Sequence, residues 1–210
     1  KVWNDKEDQD GKRPGSVTVK LLADKADTGK TLELNSTNQW KGSFEDLDEY
    51  RGGKKIEYTL EEVTVSGYTT SITKSSNGYV VTNSHTPETT EVSGKKTWND
   101  KEDQDGKRPK EITINLYADG VKKDSKKVTA SENWSWKFDN LAKYAKGQLI
   151  NYTITEDVVE DYTSDVSGYN VTNTYTPGKT SVPVEKVWND KEDQDGKRPG
   201  SVTVKLLADK

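Results

Sequence analysis

The sequence predicts an all-β chain of tandem β-sandwich domains, on three observations. Residues 1–25, KVWNDKEDQDGKRPGSVTVKLLADK, recur letter for letter at 186–210, and a diverged copy, KTWNDKEDQDGKRPKEITINLYAD, opens at Lys96. Openings spaced by about 90 residues mark an array of modules. Apolar residues alternate with polar ones, as in Val17, Val19 and Leu21 or Ile112, Ile114 and Leu116, which is the two-residue period of a half-buried strand. No helical stripe competes with it. Turn clusters such as Asp10-Gly11, Ser66-Gly67, Asn77-Gly78 and Asp119-Gly120 cut the alternation into short antiparallel runs. Roughly seven strands per domain is the expectation for such a sandwich.

The openings divide the chain into residues 1–88, 89–179 and 180–210, the last holding only the first strands of a third repeat. Aligned copies pair Trp3 with Trp98, Trp40 with Trp134, Phe44 with Phe138, Tyr58 with Tyr152 and Tyr79 with Tyr169, which are the expected core anchors. The stretches TPETTEVSG (Thr86 to Gly94) and TPGKTSVPVE (Thr176 to Glu185) carry Thr, Ser, Pro and Gly without aromatics and read as short linkers that limit bending between modules.

Composition narrows the functional classes. Apolar residues make up 29% and charged residues 32%, and the net charge of −4 is spread as interleaved Lys, Asp and Glu. Without a basic stripe the chain lacks the footprint of a nucleic-acid binder. No apolar run has the length of a transmembrane helix or a signal-peptide core, so no membrane contact is expected and the chain reads as a mature segment or an expressed fragment. Cysteine and methionine are absent. Small domains with thin cores usually need a further constraint, and disulfides cannot supply it here.

Strand alternation places Val92, Gly94, Lys96 and Trp98 on one face, which turns a lysine inward. A lone ammonium in a low-dielectric core is costly and loses its proton or pairs. Ile150, Tyr152, Ile154 and Glu156 form a second face, and Tyr169, Val171 and Asn173 a third, each apolar face ending in one polar residue. The first copy repeats the pattern with Lys1 before Trp3, with Ile56, Tyr58, Leu60 and Glu62, and with Tyr79, Val81 and Asn83. From the residues alone, a buried Lys–Glu salt bridge beside a hydrogen-bonded Asn fits this pattern.

The opening KVWNDKEDQDGKRP, the middle YTLEE or YTITED and the closing VTNSHTP or VTNTYTP, in that order and in two copies, resemble the Cna B-type repeats of Gram-positive surface adhesins. The resemblance covers essentially the whole chain. It implies an inverse immunoglobulin-like sandwich in which a first-strand lysine and a last-strand asparagine form a spontaneous isopeptide bond, assisted by the acidic residue. Lys96 would join Asn173 beside Glu156, and Lys1 would join Asn83 beside Glu62. Lys186 has no downstream counterpart of Glu62 or Asn83 in this chain and stays unpaired, and Lys1 lacks preceding residues to extend its strand and shield its amine.

These residue types suit such a step. Desolvation favours the neutral amine, a nucleophile, and the neutral carboxylic acid, which polarises the carboxamide and shuttles protons. Closing a loop of about 80 residues would stabilise a domain by roughly 4–5 kcal/mol on the loop-entropy model. No cofactor and no turnover are implied; the reaction happens once per bond. The expected role is an extracellular, wall-anchored stalk, with neighbouring repeats as partners and an unknown host ligand. The alternative is a module that itself holds a host matrix protein or glycan.

Other features invite other chemistry. The acidic loop NDKEDQDG (Asn4 to Gly11, Asn99 to Gly106) suggests calcium, yet an EF-hand register puts Lys101 at the first ligand position and Ile112 at the twelfth, which favours a solvated turn and no metal. Trp136, unmatched in the first copy, is the free aromatic candidate for a carbohydrate platform. His85 has Tyr175 as its counterpart, so no histidine cluster or triad can be assembled. Residues 186–210 lack the strands they would pack on, which points to strand exchange with the identical residues 1–25 of a second copy, or to addition at a sheet edge.

Overall fold

The computed structural model describes residues 1–208, so the last two residues of the partial third repeat lie outside it. Contacts divide the chain into a compact unit over Lys1–Thr176 and a second unit over Pro177–Lys210. The architecture is all-β, without an α-helix among the described residues.

Residues 1–84 form β1 (Val2–Asn4), β2 (Ser16–Ala23), β3 (Ala26–Asn35), β4 (Tyr50–Arg51), β5 (Lys54–Lys55), β6 (Tyr58–Glu62), β7 (Thr69–Ser75) and β8 (Gly78–Ser84). One sheet has the order β1-β8-β7 and the facing sheet β3-β2-β6, with β4 and β5 as a small hairpin. The first strand lies parallel to the last, Trp3 opposite Asn83. The alternation predicted for β2 is present: Val17, Val19, Leu21 and Ala23 are all buried.

Residues 89–174 repeat this plan as β9 (Thr89–Asn99), β10 (Glu111–Ala118), β11 (Val121–Thr129), β12 (Ser135–Ala142), β13 (Tyr144–Ala145), β14 (Gln148–Leu149), β15 (Tyr152–Glu156), β16 (Thr163–Ser167) and β17 (Asn170–Thr174). Sheet β12-β9-β17-β16 faces sheet β11-β10-β15, and again first and last strands, β9 and β17, run parallel. Apart from the β13–β14 hairpin this repeat has the seven strands expected. The first repeat has one fewer, since no strand there corresponds to β12, which in the second repeat pairs with Thr89–Lys95 of β9.

Two expectations are corrected by this arrangement. Residues 89–94 belong to β9 and not to a linker, since Thr90, Val92 and Gly94 continue the alternation of Lys96 and Trp98. Most aromatic anchors sit at the rim of the core. Trp3 and Trp40 meet edge to face at 5.2 Å and Trp98 and Trp134 at 5.1 Å, all half-buried, while Tyr169 is 36% exposed. Aliphatic side chains fill the centre: Val17, Val19, Leu34 and Val81 in the first repeat, and Val92, Ile112, Ile114, Leu116 and Val171 around Phe138 in the second.

Trp136 also differs from expectation. It is 5% exposed and belongs to the second core, so it offers no platform to a sugar. Its ring lies over Gly94, where an added Cβ would meet the ring at 2.7 Å and the carbonyl oxygen of Tyr169 at 1.7 Å. The first repeat has Gly42 at the corresponding place, against the Leu32 side chain.

Candidate functional site

Parallel pairing of β9 with β17 sets Lys96 opposite Val171 and Trp98 opposite Asn173. Residues two apart on a strand share a face, so Lys96 and Asn173 enter the interior as diagonal neighbours. Glu156 arrives from β15 in the facing sheet, where its partner across the ladder is Ile114. Lys96 Nζ donates to Glu156 Oε1 at 2.5 Å, with side chains 0% and 1% exposed. The Ser164 hydroxyl donates to the other carboxylate oxygen at 3.0 Å. Asn173 is fully buried, and neither its side-chain nitrogen nor its oxygen has a hydrogen-bond partner.

The first repeat brings the same groups together. Lys1 Nζ donates to Glu62 Oε1 at 2.7 Å, and both side chains are 0% exposed. The Lys1 amine is therefore shielded from solvent. Its α-amino group donates to the carbonyl of Trp40, and Nζ stands 4.6 Å from the centre of the Trp3 ring, as Lys96 Nζ stands 4.7 Å from that of Trp98. Thr70 Oγ1 lies 2.7 Å from Glu62 Oε2 and 3.1 Å from Asn83 Oδ1, and its single proton serves one of them at a time. Asn83 Nδ2, fully buried, has no partner.

Burial pushes the Lys1 and Lys96 amines below the ordinary lysine range, and the hydrogen bond and charge of Glu62 or Glu156 only partly oppose this. The direction is toward the neutral, nucleophilic amine. An unpartnered buried carboxamide nitrogen is costly to keep, and both repeats keep one within a strand register of the lysine.

Thr70 and Ser164 escaped the sequence reading. They face Asn83 and Asn173 across β7–β8 and β16–β17, and the one available signal was a hydroxyl at the same place in both copies. Lys186 behaves differently from its counterparts: it is exposed, donates to the Val187 carbonyl and stands 3.9 Å from the centre of the Trp188 ring.

The acidic loop is exposed at Lys6, Glu7, Lys101 and Glu102, as a solvated turn would be, but it closes on a buried aspartate in each copy. Asp5 and Asp100 are each 2% exposed and accept two hydrogen bonds, one from each of two nitrogens of Arg13 or Arg108, and one more from Tyr68 or Tyr162. Three successive residues take left-handed backbone angles, with φ of 50, 60 and 61° at Lys6, Glu7 and Asp8 and nearly the same at Lys101, Glu102 and Asp103. Such a run is unfavourable for residues with a Cβ and is held by the Asp–Arg pair and by Asp8 and Asp103 accepting from the amides of Arg13 and Arg108. The same pair and turn recur at Asp190 and Arg198 in the third segment, where no strand is formed among the described residues.

The Cna protein B-type domain model matches residues 1–84, 92–174 and 182–210. The chain belongs to this family. A Staphylococcus aureus collagen adhesin is 49% identical to it over 211 residues, a match that spans all of this chain and 18% of that protein. Two B repeat units of the collagen binding protein of the same organism, solved as a crystal structure, match with a TM-score of 0.79 and 48% identity over 94% of this chain and 53% of that one. Through these B-type repeats the chain is similar to part of an adhesin.

Proposed function

We propose that these repeats are stalk modules of an extracellular, wall-anchored Gram-positive surface protein, each closed by a Lys–Asn isopeptide bond and together projecting an adhesive region from the cell. Lys96 joins Asn173 with Glu156 as proton shuttle, and Lys1 joins Asn83 with Glu62. The supporting observation is that in each repeat a buried amine contacts a buried carboxyl beside an asparagine whose amide nitrogen has no partner.

The neutral amine attacks the asparagine Cγ, forming the Nζ–Cγ bond. The carboxylic acid donates to Oδ1 as charge develops there, accepts a proton from the attacking nitrogen and delivers one to Nδ2. The Cγ–Nδ2 bond then breaks, ammonia leaves and the Oδ1 proton returns to the carboxylate, so atoms and protons balance without a cofactor. A folded core holds the groups together at an effective concentration that free side chains lack, so folding precedes bonding. Because first and last strands are joined, tension entering one end of a repeat leaves the other through a covalent bridge.

Peptide mapping tests this directly. A digest of the unmodified chain should yield a branched peptide carrying Lys96 and Asn173, and recovery of only the two linear peptides would refute it. Direct binding of a host protein or glycan loses its particular sequence candidate, since the Trp136 ring lies in the core. Residues 186–210 exchange with the identical residues 1–25 of a second chain in the same proposal.

A further inference from the structure

The first and second repeats meet through one charged junction. Gly147 donates its amide to the carbonyl of Gln9 at 3.0 Å, and a Cβ on Gly11 would come within 2.5 Å of the Gly147 Cα. Both glycines have positive φ, 66° and 77°, so neither turn tolerates a side chain in place of its hydrogen. Glu88, whose amide donates to Asp10, accepts from Lys12 of the first repeat at 2.7 Å and from Lys143 of the second at 2.8 Å. Those two ammonium groups hold its carboxyl down to about 2. A glutamate between two lysines locks the pair.

The outer faces of both repeats carry the matching positions with other charges. At the far end of the second repeat the loop glycine is Gly106, with φ 65°, and Lys107 stands where Lys12 stood, paired with Asp161 at 2.8 Å. In the sequence, the residue aligned with Glu88 is Gly178, which brings no carboxylate. The first repeat's β4–β5 hairpin presents Gly53, with φ 76°, in the place of Gly147 and Glu49 in the place of Lys143. Nothing lies within 4 Å of a Cβ built on Gly106 or Gly53. Residues 186–210 show that the repeat after the second opens as the first does.

We infer that the far face of the second repeat is a docking surface for the hairpin of a first-type repeat, with Lys107 held between Asp161 and the incoming Glu49. A Lys-centred junction then alternates with a Glu-centred one, and each face rejects the wrong hairpin by like charge: Lys143 would meet Lys107, and Glu49 would meet Glu88. The alternation of repeat types is written into the junction charges. This rests on the tandem-array reading and is independent of the cross-links.

The test uses the full chain lengthened at its C terminus by a second copy of residues 26–88, completing the third repeat. Cysteine is absent, so nitroxide pairs on introduced cysteines at Lys123 and at the appended counterpart of Lys30 report the distance across the new junction without background labelling. The expected result is one narrow distance peak, its loss in Lys107→Glu and in the appended Glu49→Lys, and its return when both changes are combined. Lys143→Glu, read by labels on the first two repeats, should lose the first junction's peak. A broad distribution in the unchanged chain while the first junction is narrow, or a peak indifferent to either single reversal, would overturn the inference. Intact masses of the same samples report the cross-links separately, so a failed junction is not confused with failed bonding.

Discussion

Lys96 Nζ rests 2.5 Å from Glu156 Oε1, both side chains closed to solvent, while Asn173 beside them keeps an unpartnered amide nitrogen. A simple buried ion pair and a cross-linking centre make opposite predictions at this place. Replacing a buried ion pair by apolar side chains of similar volume is often neutral or stabilising, whereas losing a cross-link over about 80 residues costs roughly 4–5 kcal/mol. The double variant Lys96→Met/Glu156→Leu should therefore lower the melting transition of the second repeat, and calorimetry reads it. An unchanged or raised transition would favour the ion pair.

Acid should act on the buried aspartates. The hydrogen bonds of Arg108, chiefly, hold the Asp100 carboxyl at about 2, below its ordinary 3.8. A carboxylate with a depressed folded pKa contributes stability above its unfolded value, and that contribution is lost as pH falls through the folded one. The window here runs from 3.8 down to about 2, and the contribution is about 2 kcal/mol. Asp100→Asn should lose that stability at neutral pH and show a flatter dependence between those pH values in urea titrations. A variant with an unchanged slope would assign the effect elsewhere.

Gly94 and Trp136 form a packing pair peculiar to the second repeat. Gly94→Ala places a methyl against the Tyr169 carbonyl and the indole, which no rotamer relieves, and should destabilise by about 1–3 kcal/mol or more. Trp136→Ala opens the core and should cost about 3–5 kcal/mol. Removing the indole leaves the carbonyl clash in place, so the double variant should be no more stable than Trp136→Ala alone; chemical denaturation of all three gives the comparison.

Strand exchange through residues 186–210 predicts association that depends on concentration. Light scattering over a dilution series should show a dimer or longer species dissociating, and a chain ending at residue 185 should stay monomeric. A full-length chain that is monomeric throughout, with its tail cleaved readily by protease, would exclude exchange.

How much the residues disclosed follows from the physics of each kind of signal. Period-two alternation is a local property, so β2, β10 and the inward turn of Lys96 could be read directly. The recurrence of Lys, Glu and Asn in both copies marked the residues that the fold then brings to one place in the core. Composition misled where pattern should have ruled: Thr, Ser and Gly made residues 89–94 resemble a linker although Thr90, Val92 and Gly94 kept the strand period. Trp136 lacks a counterpart, which suggests a surface residue, yet the space for it comes from Gly94 on another strand, a long-range fit invisible to any window. Asp5 and Asp100 look like members of a solvated acidic run, and their burial depends on Arg13 and Arg108 folding back over a left-handed turn.

Intact mass spectrometry of the unmodified chain, denatured and undigested, bears on the central claim most directly. Two isopeptide bonds release two ammonia molecules, so the measured mass should fall about 34 Da below that calculated from the sequence, and about 17 Da below it in Glu156→Gln. A mass equal to the calculated one, with Lys96 and Asn173 both intact, would contradict covalent closure of the repeats.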